Sequence, residues 1–118
     1  MEKISLVRGE IWLVNLDATI GAEIQKKRPA VIISSNAIGK LPLKVIVPIT
    51  EWKAPYAAVP WMVRIQPDKN NGLDKESAAD TFQIRSVSNE RFIQRIGILS
   101  DAFLQELVEA ITTVVSDL

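Results

Sequence analysis

The first hundred residues consist of short apolar runs separated by polar segments that contain glycine or proline. The runs are rich in β-branched and aromatic residues, so the pattern predicts strands at 10–16, 29–34, 44–50, 61–66, 77–86 and 92–98. The 77–86 run is either one strand or two strands joined at a kink. Pro29 would open the second strand, and Pro48 predicts an edge or a bulge in the third, because proline has no N–H to donate to a neighbouring strand.

After residue 100 the apolar positions recur at helical spacing, behind a candidate cap at Ser100 or Asp101. The apolar stripe consists of Phe103, Leu104, Leu107, Val108, Ile111, Val114, Val115 and Leu118. Strands first and one long helix last predict a mostly β fold, a curled antiparallel sheet or small barrel closed by a C-terminal α-helix. A chain of 118 residues has the size of one domain, so we expect a single domain over residues 1–118.

Three segments between the predicted strands carry no regular period. Residues 17–28 predict a long polar loop, and long ordered loops tend to carry function. Residues 51–60 contain two prolines together with Trp52 and Tyr56, so we expect an irregular loop with aromatic anchors. Residues 67–72 end in Asn-Gly, a pair that supplies the positive φ angles of tight hairpin turns.

Charge is balanced over the whole chain but not along it. Fourteen basic and fourteen acidic residues give a net charge of zero, so gross electrostatics favours neither nucleic acid nor an anionic membrane. Residues 1–50, however, carry seven basic and four acidic side chains. The tightest basic cluster in that half is Lys26, Lys27 and Arg28, which is either a local anion-binding site or a solvated loop.

The chain has neither cysteine nor histidine. This composition excludes disulfides, thiol nucleophiles and cysteine-ligated metals, and it removes the commonest general acid–base and the commonest metal ligand. Any catalysis must therefore use other polar groups, and we expect no metal or other cofactor. The longest apolar runs are far shorter than the ~20 residues of a membrane span, and the first residues lack a signal-peptide layout. We therefore expect a cytoplasmic protein with no membrane partner.

Several short segments carry a more specific pattern. They are RGEIWLVNLD at 8–17, GAE at 21–23, RPAVIIS at 28–34, VPIT at 47–50, DTFQIRS at 80–86 and RIG at 95–97. In this order and spacing they resemble the MazF/PemK family of toxin endoribonucleases over residues 6–115. The resemblance implies a barrel similar to Src-homology-3 folds, a homodimer, and cleavage of single-stranded RNA. It also implies neutralisation by a cognate antitoxin, similar to MazE, whose flexible acidic tail occupies the RNA groove.

The resemblance also assigns roles to individual residues. The family's key arginine falls on Arg28, its key hydroxyl on Thr50 and the acid of its loop on Glu23, which makes these three the candidate catalytic residues. The family's Gln-x-Arg element falls on residues 83–85. Together with the basic cluster, it makes the candidate RNA-binding residues Lys26, Lys27, Gln83 and Arg85.

Metal-free RNA cleavage needs particular groups around the scissile phosphate. The neighbouring 2′-OH is the nucleophile, so the site needs a proton acceptor, a proton donor for the leaving 5′-oxygen, and donors for the charge that builds on the phosphoryl oxygens. Arg28 can clamp those oxygens, because its planar guanidinium presents several N–H donors and stays protonated. Thr50 can donate to a phosphate oxygen or orient the 2′-OH. Glu23 is either the base or the ion-pair partner of Arg28.

Three positions depart from some PemK-type members. Those members have a histidine in the glycine loop, and an arginine and an aspartate before the Gln-x-Arg element, where this chain has Ala22, Asp80 and Phe82. An acid–base scheme built on those groups cannot operate here, so the MazF-type arrangement of Arg28 and Thr50 fits better. Asp80 is then either an unplaced functional acid or a hydrogen-bond acceptor at a turn or strand end.

The aromatic residues and the fold leave alternatives open. Trp52, Trp61 and Tyr56 are base-stacking residues or, above all for Trp61, core residues, whereas Trp12 is expected in the core. A non-catalytic CcdB-like toxin that acts by binding, or an inactive interaction module, would share the same fold. The pairing of a clamp arginine with a hydroxyl favours the endoribonuclease, because a protein that only binds has no need of a phosphate clamp.

Overall fold

The computed structural model describes residues 5–117 and shows a mostly β fold with one C-terminal helix. The strands are β1 (Glu10–Asn15), β2 (Lys27–Ile32), β3 (Leu43–Glu51), β4 (Met62–Ile65), β5 (Ser77–Asp80), β6 (Arg85–Ser88) and β7 (Phe92–Ile98), and the helix is α1 (Asp101–Val115). Short 3-10 helices occur at 36–38, 54–58, 81–83 and 89–91. The predicted fold class is confirmed. Residues 1–4 and Leu118, the last position of the predicted apolar stripe, lie outside the described residues.

The strands follow the order β4–β5–β3–β2–β1–β7, and β6 also pairs with β3. All pairs are antiparallel. Strands β4 and β7 form the two ends of this path, so the barrel-like sheet is not closed within residues 5–117. In the same part of the chain, no helix is both long and apolar enough to cross a membrane.

Alternate residues of the central strands supply two apolar clusters. Ile11 and Val31 belong to one cluster, whereas their neighbours Trp12 and Ala30 belong to the other, because successive side chains of a strand point to opposite faces. Trp12 is only 7% exposed and lies edge-to-face against Phe92, with 6.1 Å between the ring centroids. The predicted core position of Trp12 is therefore confirmed.

Helix α1 covers the first of these clusters. Of the two candidate caps, Ser100 is the one used, since its Oγ accepts a hydrogen bond from the N–H of Phe103 at 3.3 Å. The helix contacts β4 and the 3-10 helix at 81–83. Its buried residues are Leu104, Leu107 and Ala110.

Strand β2 begins two residues earlier than the sequence predicts. Strand β1 offers backbone partners as far as Asn15, so the pairing continues to Asn15 opposite Lys27. Arg28 therefore lies on a strand, opposite Val14, and its predicted place in a polar loop is wrong. The 51–60 segment also differs from expectation, because it contains a regular 3-10 helix at 54–58.

Strand β3 changes partners at Pro48. It pairs with β2 as far as Pro48 opposite Ala30, and its last residues, Ile49–Glu51, pair with β5 on the other edge. The N–H of Ile33 donates to the carbonyl of Val45, so the odd-numbered residues of β2 direct their backbone groups to β3, and Pro29 lacks the N–H that would continue this ladder. The backbone nitrogen of Pro48 faces the other edge of β3, at the gap between the pairing with β6 and the pairing with β5. The predicted 77–86 segment likewise forms two strands, β5 and β6, which pair with different parts of β3 and are separated by the 3-10 helix.

Candidate active site

Arg28 and Thr50 line one cavity, at the place where the pairing of β2 with β3 stops. Continuing the register of Ala30 with Pro48 by two residues puts Arg28 opposite Thr50 and on the same face of the sheet. The cavity has a volume of about 470 Å³. The fold thus brings together the arginine and the hydroxyl that the sequence singles out, although 21 positions separate them along the chain.

The same cavity carries charged residues that the sequence reasoning missed. Lys53 and Lys75 line it together with Arg28, and the acids in its lining are Glu51 and Asp74. The Lys75 Nζ lies 3.3 Å from Oε2 of Glu51. All four belong to residues 51–118, which carry a net negative charge, whereas the charge distribution predicts an anion-binding site in residues 1–50. The one available signal was that Glu51 directly follows the candidate hydroxyl in the sequence and Lys53 comes two residues later.

The segment between β4 and β5, residues 66–76, forms one side of this cavity and is internally cross-linked. Asn71 is fully buried, and its Oδ1 accepts hydrogen bonds from the N–H groups of Asp68 and Leu73 at 3.2 and 3.0 Å. Its Nδ2 donates to the carbonyl of Gln66 at 2.8 Å. One buried amide therefore holds the turn together.

Gly72 packs this segment directly against β7. It has a φ of +69°, and a Cβ at this position would lie 2.2 Å from the carbonyl oxygen of Ile96. A turn is present as predicted, but it is not a tight Asn-Gly hairpin. Only the glycine of the pair has a positive φ, and the Asn71 side chain is buried and cross-links the segment.

Glu23, Gln83 and Arg85 line a second cavity of about 480 Å³, which shares no lining residue with the first. The Glu23 carboxylate accepts a hydrogen bond from the N–H of Ile20 at 2.8 Å. Within residues 5–117 it forms no ion pair with Arg28. In this structure Glu23 therefore stabilises its own loop and does not hold the arginine.

Gln83 and Arg85 fasten the β1–β2 loop, residues 16–26, to the opposite side of the second cavity. Gln83 accepts a hydrogen bond from the N–H of Ile24 at 2.6 Å and donates from Nε2 to the carbonyl of Ala22 at 3.2 Å. Arg85 donates from Nη1 to the carbonyl of Leu16 at 3.3 Å. Polar groups of the Gln-x-Arg element are thus engaged with the protein's own backbone.

Lys26 and Lys27 are exposed and line neither of these two cavities. Lys26 has a φ of +68°; its N–H donates to Asp17 at 2.8 Å, and its carbonyl accepts from the N–H of Leu16 at 2.9 Å. Lys27 pairs with Asn15 as the first residue of β2. The basic cluster is therefore divided, with its two lysines outside the cavity and its arginine in the cavity lining.

Asp80 is a buried acceptor at the end of β5. Its carboxylate accepts a hydrogen bond from the N–H of Phe82 at 3.2 Å and so caps the 3-10 helix at 81–83. Burial raises the pKa of Asp80, and the hydrogen bonds from Phe82 and Gln83 only partly oppose that rise. Of the two interpretations that the sequence allows, the structure shows the strand-end acceptor.

The remaining aromatic residues lie at the surface, half-buried. Trp61 packs against the exposed ring of Phe82, with 5.3 Å between the ring centroids. Trp52 meets Tyr56 edge-on, with 5.9 Å between the ring centroids. The guanidinium carbon of Arg64 lies 4.9 Å from the centroid of the Trp52 ring. Neither tryptophan lines one of the two cavities.

Sequence comparisons find known proteins that match nearly the whole chain. A family model described as "PemK-like, MazF-like toxin of type II toxin-antitoxin system" matches residues 7–115. A protein of Mycobacterium tuberculosis, named endoribonuclease MazF9, is 34% identical over 110 residues, which cover 88% of this chain and 91% of the relative.

Solved structures share the fold at lower sequence identity. MazF from Deinococcus radiodurans superposes with a TM-score of 0.75 at 20% identity, covering 92% of this chain and 94% of that chain. An endoribonuclease in complex with its cognate antitoxin, from a mycobacterial species, superposes with a TM-score of 0.72 at 18% identity, covering 93% and 94% of the two chains. At these identities the likeness concerns the fold alone.

Proposed function

The chain belongs to the PemK-like, MazF-like family of toxins of type II toxin–antitoxin systems, and from this premise we propose that it is an endoribonuclease. Its substrate is single-stranded RNA, which it cleaves with a sequence preference and without a metal ion. The observation that carries the proposal is that Arg28 and Thr50 line the same cavity. The name of the Mycobacterium tuberculosis relative supports the same type of reaction.

Arg28 supplies the positive donors of the proposed site. Its guanidinium binds two oxygens of the scissile phosphate and stabilises the negative charge that builds on them when the 2′-oxygen attacks. The exposed position of Arg28 at the start of β2 leaves the side chain accessible to RNA. A permanently protonated guanidinium is suited to this electrostatic role and not to moving protons.

Thr50 lines the same cavity as Arg28 and supplies a hydroxyl. It donates to a phosphate oxygen or orients the 2′-OH for attack in line with the bond to the leaving 5′-oxygen. The reaction forms a bond between the 2′-oxygen and phosphorus and breaks the bond to the 5′-oxygen. Its products are therefore a 2′,3′-cyclic phosphate and a 5′-hydroxyl. Glu23 contributes by shaping the β1–β2 loop, since it lines the other cavity.

The test is cleavage of a long unstructured RNA in the presence of EDTA, followed by mapping of the new ends. We expect discrete cuts with 5′-hydroxyl and 2′,3′-cyclic phosphate ends, and no cuts from the Arg28→Ala protein prepared in the same way. Activity that is lost with EDTA and restored by Mg²⁺ would contradict the metal-independent scheme. An intact RNA under all conditions would favour the non-catalytic toxin or the inactive module.

The proposed macromolecular partner is the acidic, partly disordered tail of a cognate antitoxin, which competes with RNA. The likeness to an endoribonuclease solved with its antitoxin, and the exposed lysines beside Arg28, support this proposal. The double variant Lys26→Glu, Lys27→Glu should weaken the binding of both partners and make each less dependent on salt. Lys40→Glu, at an exposed position in the same half of the chain, is the control.

We also propose a homodimer in the cytoplasm, as the family resemblance implies. The outer positions of α1 support a second subunit, because Val115 is 72% exposed and Ile111 is only half-buried. Light scattering at micromolar concentration should report the mass of two chains. The mass of one chain would contradict the dimer.

A further inference from the structure

The proposed reaction needs a group that accepts the proton of the 2′-OH, and the chain offers few candidates. It has no histidine and no cysteine, and its one tyrosine, Tyr56, packs edge-on against Trp52 and does not line the Arg28 cavity. Two lysines, Lys53 and Lys75, line the cavity, but an ammonium group has donors and no acceptor, so carboxylates are the class of base that remains. Those that line the cavity are Glu51 and Asp74.

The two carboxylates differ in their surroundings. Glu51 lies 3.3 Å from the ammonium of Lys75, so its carboxylate is already engaged in an ion pair. Asp74 makes no ion pair and no side-chain hydrogen bond among residues 5–117. Of the acids in this cavity, Asp74 is therefore the one whose oxygens are available to a substrate.

Asp74 is also held in place by the backbone on both sides. The N–H of Leu73 donates to the buried Asn71 side chain at 3.0 Å, and Gly72 packs against the carbonyl of Ile96. On the other side, Ser77 begins β5 and is 5% exposed. Asp74 is thus carried by a short segment between two anchored points, a setting that fixes a catalytic group before substrate binds.

We propose that Asp74 is the general base of the reaction, an inference that rests on the proposed function. Its carboxylate takes the proton from the 2′-OH as the 2′-oxygen bonds to phosphorus, and the bond from phosphorus to the 5′-oxygen breaks. The leaving 5′-oxygen takes a proton from solvent water, and Asp74 later returns its proton to solvent. The other charged groups that line the cavity are Arg28, Lys53, Lys75 and Glu51.

This assignment separates the base from Glu23, the acid that the sequence favoured. Glu23 lines the second cavity, and its carboxylate is occupied by the N–H of Ile20. The substitutions Asp74→Asn and Glu23→Gln are matched, because each replaces a carboxylate by an amide of the same shape. An amide oxygen at position 23 still accepts the hydrogen bond from Ile20, so the loop remains as it is.

The experiment measures single-turnover cleavage against pH for the parent protein and these two variants, with Asp101→Asn as a control at an exposed helix position. Binding is measured in parallel with a 2′-O-methylated single-stranded RNA of mixed sequence, which cannot be cleaved. Asp74→Asn should lower the cleavage rate by 10²–10⁴ and remove the acidic limb of the pH profile. It should leave binding unchanged or tighter, because a negative charge has been removed. Asp74→Glu should recover part of the rate.

The outcomes distinguish a failure of the role of Asp74 from a failure of the proposed endoribonuclease function. A parent protein that does not cut RNA would overturn the proposed function. If the parent cuts RNA while Asp74→Asn behaves like Asp101→Asn, the function stands and Asp74 is not the base. A loss confined to Glu23→Gln would return the role to Glu23. A loss of RNA binding in Asp74→Asn equal to its loss of rate would show a role in binding and would also overturn the inference.

Discussion

The two loops that border the cavities differ in how deeply their anchoring groups are buried. The segment at 66–76 is held by the fully buried Asn71 and by Gly72, which packs against β7. The β1–β2 loop at 16–26 is mostly exposed; Glu23 and Lys26 form hydrogen bonds within it, and the half-buried Gln83 holds it from the neighbouring 81–85 region. The first loop borders the cavity of Arg28, and the second borders the cavity of Glu23.

This difference indicates how the proposed site divides its tasks. A loop cross-linked by a buried amide keeps its shape without substrate, which suits groups that must be fixed for chemistry. A loop held by a few side-chain hydrogen bonds can open at small cost, because each such bond contributes only about 1 kcal/mol. The rigid side of the molecule is therefore expected to carry the chemistry, and the adaptable side to receive the flanking nucleotides.

The largest effect is expected in the rigid cavity, at Arg28. Arg28→Ala removes a preorganised donor to the developing charge and should lower the cleavage rate by about 10²–10³. Arg28→Lys should recover little, because an ammonium cannot reproduce the two parallel hydrogen bonds of a guanidinium. The melting temperature should be nearly unchanged, since the side chain is exposed. A variant that cuts RNA within about tenfold of the parent rate would remove Arg28 from the site.

Asn71→Ala should cause the largest loss of stability. It leaves two N–H groups and one carbonyl of the turn without their partner and opens a space at a fully buried position, so the free energy of unfolding should fall by about 2 to 4 kcal/mol in denaturant titrations. The cleavage rate should fall as well, because Asp74 loses its support. Asn70→Ala, at the exposed neighbouring position, is the control. Equal stabilities of the two variants would contradict the cross-link.

Gln83→Ala should have a smaller effect, confined to the adaptable loop. Two hydrogen bonds to the β1–β2 loop are lost, at a cost of about 1 kcal/mol, since the side chain is only half-buried. Hydrogen exchange of the Ile24 amide should accelerate, because its N–H loses its acceptor. Gln25→Ala, at an exposed position of the same loop, should leave that amide protected. Unchanged exchange in Gln83→Ala would show that other contacts hold the loop.

The smallest effect concerns pH and Asp80, which caps the 3-10 helix that carries Gln83. Burial raises the pKa of Asp80, so the folded protein holds this proton more tightly than the unfolded chain. Stability contributed by this group is therefore lost as the pH rises from about 4 through the raised value. Asp80→Asn keeps an acceptor but not the titration, so the stability difference between parent and variant should shift in the variant's favour over this range. A difference that is constant with pH would contradict the shift.

Regular elements were predictable wherever local pattern and tertiary environment agree. The strand at Phe92–Ile98 matches its predicted bounds, and the helix begins behind Ser100 as one of the two candidate caps indicates. The start of β2 was not predictable, because Lys27 and Arg28 are strand residues only through their pairing with β1. Polar strand ends carry no apolar period, so the pattern assigns them to loops.

The candidate site was predictable only where a residue carries a motif or another local signal. Arg28 and Thr50 stand out by resemblance, and in the structure both line one cavity. Asp74 and Lys75 carry no local signal, since a short polar stretch after a turn looks like any solvated loop. Glu23 carried the stronger sequence signal but lies in a different cavity.

The sequence by itself determined the fold class and the family of the protein. Local pattern predicted the order of strands and helix and the core position of Trp12, and the motifs predicted membership of a toxin family. Tertiary structure alone decided which charged groups share a cavity. That choice depends on where the β2–β3 ladder stops, at Pro29 of β2, and on one buried asparagine that cross-links a turn. Local pattern indicates whether a residue is exposed to water or buried in the core. Which distant residues come together depends instead on strand register and on the positions where proline cannot donate a backbone hydrogen bond.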